Sequence, residues 1–296
     1  MPSTTFSLAG LSFRLDAPPS APAPCSSVEY RPFLVTDTPQ ANGGHYQVRS
    51  PESPELQSAD AMKWPVTWAN DTWRLARDPV TCTSAITIFD ALSRNWRHIA
   101  TLAEDFGAGF LAAHGAGNEP VWYHPHDRAI ITARLAHLGG GVVHAGAIVH
   151  GKNVILVSGP SGAGKTTLCR LCHDAGATLL NDERSIVHNA GGRYLAGSSP
   201  WHGIDNRVSP LSGPLTAIYF IRHGTGTAIE PLTPAHALTR LFTATMVPSF
   251  LPGGVAMVLN SWSRLVEEVP AFDLAFTPDH AAAAAMLSHA AGLSAE

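Results

Sequence analysis

The stretch "VILVSGPSGAGKTTLCRL", residues 154–171, limits what this 296-residue chain can fold into more than any other. A β-branched apolar run enters a glycine-rich loop, and Leu168, Leu171 and Cys172 follow at helical spacing. "GPSGAGKT", residues 159–166, satisfies G-x-x-x-x-G-K-[ST] with strand before and helix after, the context the motif requires. Gly159, Gly162 and Gly164 let the loop, Pro160 included, curl so that the backbone N–H groups of Ser161 and Ala163 on to Thr167 converge on phosphate oxygens at the positive end of a helix. Lys165 is placed to reach the β and γ phosphates, and Thr166 to offer its hydroxyl to Mg²⁺, so ATP and Mg²⁺ are the expected ligands. Only Lys63, Lys152 and Lys165 are lysines, so a lysine in this loop is not a product of abundance.

A right-handed crossover through one helix should return to a parallel strand, and "ATLLND" ends such a strand at Asp182. Asp182 and Glu183 are therefore expected at the carboxyl edge of the sheet, beside the loop. Adjacent residues on an extended strand face opposite sides, so their roles should divide. Asp182 is expected to be the general base at an acceptor hydroxyl while sharing the metal site, and Glu183, longer, to reach Mg²⁺. His144, in "VVHAGAIV", lies on the strand before the loop strand, where a histidine is ordinarily a packed core residue.

Composition narrows the partners. Hydrophobic residues make up 45%, enough for one large core or two smaller ones. Twenty-three acidic residues against 19 lysines and arginines, without a run of like charge, argue against nucleic acid or an anionic membrane as partner. No secretory h-region and no 18-residue apolar run is present, so a soluble, cytoplasmic protein is expected. Cys25, Cys82, Cys169 and Cys172 are too few and too scattered for a disulfide framework. Cys169 and Cys172 form a C-x-x-C on the helix after the loop and, lacking a second ligand pair, are expected to pack in the core.

Two regions are expected. Residues 1–120 read as β-rich, with hairpins in "TFSLAGLSFRL" and in "WPVTWANDTWRLAR" about Asn70-Asp71, and a Pro, Ala and Ser-rich linker or cover strand at 16–27. Residues 121–296 read as an α/β nucleotide-binding core. It should hold a helix at 127–138 capped by Asp127, a hairpin through "HGKN" whose second strand enters the loop, a core strand at 215–221, and three later helices.

"HAGAIVHGKNVILVSGPSGAGKTTLCRLCHDAGATLLNDERSIV" resembles the catalytic core of HPr kinase/phosphorylase. More closely, it resembles the HPr-kinase-like ATP-dependent kinases of peptide-modification clusters, lasso-peptide kinases among them. The resemblance spans about residues 142–205 and implies a P-loop core of the HPr kinase/PEP carboxykinase type. The family's histidine position is filled by His144, its loop by residues 159–166 and its acidic pair by Asp182 and Glu183, where the family usually carries Asp-Asp. The HPr-kinase C-terminal signature is absent, and residues 1–120 do not resemble that enzyme's N-terminal domain, so HPr is not the expected substrate.

The resemblance implies transfer of the γ-phosphate of ATP to a hydroxyl, foremost a serine of a peptide or protein. A small hydroxylated metabolite as acceptor, or a non-catalytic ATP-binding module, are the alternatives, and a homo-oligomer is compatible with any of them. The guanine reader N-K-x-D and the transporter motif L-S-G-G-Q are both missing. The β-rich region and "SSPWHGIDNR" (198–207) are candidate substrate surfaces, with Arg193 or Arg207 available to hold a transferring phosphate.

Overall fold

The computed structural model describes residues 3–18, 28–36, 41–50, 53, 56, 63–89, 96–113, 120–205 and 207–293. It is a mixed α/β structure with two large sheets and few helices. Two compact units are formed, one of Met1–Ser7, Leu11–His137 and Pro248–Val255, the other of Leu8–Gly10, Leu138–Val247 and Ala256–Glu296. The long cut thus falls after His137. Among the described residues no helix is long and apolar enough to cross a membrane.

The first unit holds β1 (Ser3–Leu8), β2 (Leu11–Asp16), β3 (Leu34–Val35), β4 (Gly44–Val48), β5 (Val66–Ala69), β6 (Trp73–Arg77), β7 (Ser84–Phe89), β8 (Trp96–Leu102), β9 (Ala108–Ala113) and helix α1 (His126–His137). The strands form one nine-stranded sheet in the order β3-β1-β2-β4-β9-β8-β7-β6-β5. Both expected hairpins are present. In the β5–β6 turn the Asn70 carboxamide oxygen accepts from the N–H groups of Thr72 (2.8 Å) and Trp73 (2.9 Å), the side-chain-closed turn that Asn favours. Phe6, Phe13, Tyr30, Tyr46 and Trp122 pack ring against ring in this unit's core. Helix α1 begins one residue earlier than expected, so Asp127 lies in its first turn instead of capping it, and its buried carboxylate accepts the Tyr30 hydroxyl at 2.9 Å. The stretch 16–27 lies outside the described residues beyond residue 18.

The second unit holds β10 (Gly141–His150), β11 (Asn153–Ser158), α2 (Lys165–Asp174), β12 (Thr178–Asn181), β13 (Arg184–Asn189), β14 (Tyr194–Ser198), β15 (Ser212–His223), β16 (Ala228–Pro231), α3 (Pro234–Thr243), α4 (Gly254–Glu268), β17 (Ala271–Phe276) and α5 (His280–Leu293). β11 is central, antiparallel to β10 on one side and parallel to β15 on the other. β10 and β15 are long enough to pair with three strands each, β10 leaving β13 for β11 and β12 along its length and β15 pairing with β14, β11 and β17.

β12 pairs antiparallel with β10, itself antiparallel to β11, so the chain returns parallel to β11 across one intervening strand. One expectation is corrected here: β12 stops at Asn181, which leaves Asp182 and Glu183 in a bend and not on an extended strand. The cause is Asn181, whose buried carboxamide oxygen accepts from the N–H groups of Glu183 (2.7 Å) and Arg184 (3.0 Å) and turns the chain out of the ladder.

Helix α2 lies on this sheet through Leu168, Cys169 and Cys172, packed with Ile148, Val157, Tyr219 and the Ala283–Met286–Leu287 face of α5. Full burial of Leu168 alone contributes about 1.5–3 kcal/mol. Both cysteines are free thiols; burial pushes Cys172 up to about 12 and Cys169 still higher, so neither is a nucleophile at neutral pH.

Candidate active site

β11 delivers the chain into the loop at Gly159, and α2 leaves it at Lys165. Gly164, at the helix N-cap, has φ +97°, a left-handed conformation that side chains resist, and gives the helix no side-chain cap. The first-turn N–H groups of α2 are thus left for a ligand, as the positive end of a helix requires for an anion.

Lys165 is 8% exposed. Its ammonium donates to the loop's own carbonyls, Gly159 at 2.8 Å and Pro160 at 3.1 Å, and among the described residues it makes no ion pair. Burial holds its pKa below the ordinary lysine value, with Glu183 pulling the other way. A buried cation without a counter-ion, at a helix N-terminus, fits a polyphosphate.

Asp182 lies opposite the loop, 2% exposed. Its carboxylate accepts from the Thr166 hydroxyl at 3.1 Å, from Gly203 N–H at 2.9 Å and from Asp205 N–H at 3.1 Å. Glu183 is more open and pairs with Arg184 at 3.1 Å. A Cβ on Gly203 would stand 3.0 Å from both Asp182 oxygens and from Glu183 Oε2, close enough that both carboxylates would have to give by a few tenths of an ångström to admit it.

His144 is half-buried on β10, opposite Arg184 in the ladder. Burial first, and then the Lys165 and Arg184 cations, lower its pKa despite Glu183, so the imidazole is neutral at neutral pH. His144, Lys165, Thr166, Asp182, Glu183 and Gly203 all border one cleft of about 530 Å³, together with Ser161, Gly162, Gly164 and Thr167. Among the described residues no three His, Cys, Asp or Glu side chains cluster to hold a metal by themselves. Thr166 and Asp182 would leave Mg²⁺ to complete its shell with phosphate oxygens and water, its usual mode of binding.

The two arginines expected to face a phosphate are placed otherwise. Arg193 is in the exposed β13–β14 turn and does not border the cleft. Arg207 grips Asp205 through Nε (2.9 Å) and Nη2 (2.6 Å), and Arg170 of α2 donates to the same carboxylate at 2.8 Å. The two guanidiniums hold the buried Asp205 carboxyl well below the usual range. Gly203 and Asp205, whose roles were not read from sequence, thereby tie the 199–205 segment to Asp182 and, through Arg170, to α2, while His202 borders the cleft.

No protein-family profile matches the sequence, and no curated protein does. Among solved structures, that of the Hpr(Ser) kinase/phosphatase from Coxiella burnetii is similar at a TM-score of 0.30 and 10% identity, over 50% of this chain and 91% of that one. A likeness so distant says nothing about shared residues or chemistry.

Proposed function

We propose that this protein is an ATP-dependent phosphotransferase that moves the γ-phosphate to a hydroxyl, foremost a serine of a peptide or protein. The observation that carries this reading is the pairing of two features across one cleft: a buried lysine without a counter-ion in a glycine-rich loop, and a buried carboxylate hydrogen-bonded to the loop threonine. Loop N–H groups and Lys165 would bind the phosphates, and Thr166 with Asp182 would hold Mg²⁺. Bound there, Mg²⁺ supplies neutralisation of the phosphate charge.

In the transfer, the acceptor oxygen bonds to phosphorus as the bond from phosphorus to the ADP oxygen breaks, and that oxygen keeps the electron pair. Lys165 compensates the charge on the phosphate oxygens. The acceptor proton needs a base, and the contacts favour a division of labour opposite to the one read from sequence. Asp182 is committed to Thr166 and two N–H groups, whereas Glu183 lies nearer the open side and in the field of Lys165 and His144. Glu183 is accordingly our base, and His144, neutral, is placed to orient the acceptor or the phosphate.

The test is incubation with γ-labelled ATP and Mg²⁺, alone and with a lysate of the source organism. Label transferred to a peptide or metabolite, and lost in Lys165→Ala, supports the reading. Nucleotide bound tightly without transfer supports a binding module, and no Mg-ATP binding at all refutes both.

A further inference from the structure

A second cleft, of about 470 Å³, borders the start of the same loop and shares His144 with the first. Its loop wall is Ser158, Gly159 and Pro160, and its far wall is α3 and β17. Which end of a bound triphosphate it faces follows from Lys165. That ammonium, the group that meets the β and γ phosphates, rests on the carbonyls of Gly159 and Pro160. The cleft walled by those two residues therefore opens at the γ end, where an acceptor must stand in line.

Its lining is chemically distinct from the first cleft. Phe220, Ile221 and Ala244 supply an apolar floor. Above it, Arg222 and Arg240 converge on one carboxylate, Asp273: Arg222 Nε donates at 2.6 Å, and Arg240 donates to the other oxygen while its guanidinium lies 5.8 Å from the Phe220 ring centroid. Two guanidiniums on one carboxylate leave a net positive charge. Among the described residues their remaining N–H groups have no protein partner, and both side chains are about half exposed toward solvent. Asp273 is itself buried and holds the two forks in place, the preorganisation that bidentate anion recognition needs.

We infer that this second cleft is the acceptor subsite, and that the acceptor is a hydroxylated molecule with an apolar body and an anionic group held by Arg222 and Arg240. The inference rests on the phosphotransferase reading. It adds the charge and shape of the substrate, and it makes His144, on the shared wall, the residue between donor and acceptor.

The probes are 4-(hydroxymethyl)benzoate and its uncharged relative 4-(hydroxymethyl)benzamide, titrated into the full chain saturated with Mg-ADP, with ADP affinity measured on the same preparations. The benzoate should bind about tenfold more tightly than the benzamide, and Arg222→Gln or Arg240→Gln should each erase most of that preference while leaving ADP affinity unchanged. Each single variant leaves Asp273 its other arginine, so the fold is retained. Equal binding of the two probes, or no binding of either, overturns the subsite while the phosphotransferase reading stands on ADP binding. Loss of ADP affinity in the arginine variants also overturns it, by giving this cleft to the nucleotide. Failure of the unaltered chain to bind Mg-ADP refutes the underlying reading instead.

Discussion

Replacing Lys165 by methionine separates a phosphate site from a merely structural loop, because the two readings predict opposite effects on the unliganded and liganded protein. The ammonium is buried, has no ion pair among the described residues, and has its pKa lowered by burial, so the unliganded fold gains little from its charge. Methionine keeps the apolar stem and removes the charge, giving up two hydrogen bonds to loop carbonyls that the relaxed loop can return to water. The unliganded stability should therefore stay within about 1 kcal/mol of the original. Nucleotide binding is another matter. A hydrogen bond to a charged group is worth about 1.5–3 kcal/mol, so losing Lys165 should raise the dissociation constant of Mg-ATP roughly ten- to hundredfold. At ATP a hundred times the original dissociation constant, ligand stabilises the fold by about 2.7 kcal/mol, and a thirtyfold weaker site retains only about 0.9 kcal/mol of it. Denaturant unfolding with and without Mg-ATP measures both quantities. A variant that unfolds several kcal/mol more easily without ligand, yet keeps its full ATP increment, would mean that Lys165 is a structural clip and the loop holds no phosphate.

Three further outcomes follow from the site and its supporting unit. Asp182→Asn should raise the Mg²⁺ needed for half-maximal transfer about ten- to hundredfold, while Glu183→Gln should lower single-turnover transfer by about two to four orders of magnitude at saturating Mg²⁺; the reverse pattern would restore the roles read from sequence. Gly203→Ala should leave ADP affinity within a few fold but cut transfer about a hundredfold, because its methyl would push both carboxylates from positions it meets at 3.0 Å; unchanged turnover would show that neither acid is held to close tolerance. His126, fully buried in the first unit with its pKa lowered to about 3, is neutral when folded but takes up a proton when unfolded below pH 6.5. Stability is thus complete above neutral pH and falls as pH drops toward 3, by about 2 kcal/mol at pH 5 from this group alone, and denaturation midpoints of His126→Leu should show that slope flattened.

What could be read in the sequence, and what could not, divides along local and non-local causes. The loop and its flanking strand and helix are written in one contiguous stretch whose glycines, lysine and apolar spacing answer to local conformational rules, so element type, order and the central place of β11 were all legible. The pairing of β12 was not, since the crossover rule fixes the direction of a returning strand but not how many strands it passes over. Placing Asp182 and Glu183 on an extended strand failed for a single-residue reason. Asn181 offers its side chain to the next two N–H groups and ends the ladder early, and nothing in an apolar run marks where such a residue will win over the sheet. That shift decides the chemistry. On a strand the two acids would face apart; in the bend Gly203 can reach both, and the order Thr166–Asp182–Gly203 is set by backbone hydrogen bonds from a segment twenty residues downstream. Asp205 is a harder case, because its sequence neighbourhood shows only two ordinary arginine contexts, and its value lies in joining Arg170 on α2 to the segment that supports Asp182. The same holds for Arg222, Arg240 and Asp273, which sit on β15, α3 and β17 and meet only because β15 and β17 pair in register with Phe220 beside Asp273. A motif can name the residues proposed to touch phosphate, whose spacing is dictated by a loop; the residues we propose to choose the acceptor come from elements that the sheet brings together, and their spacing along the chain carries no signature of the pocket they line.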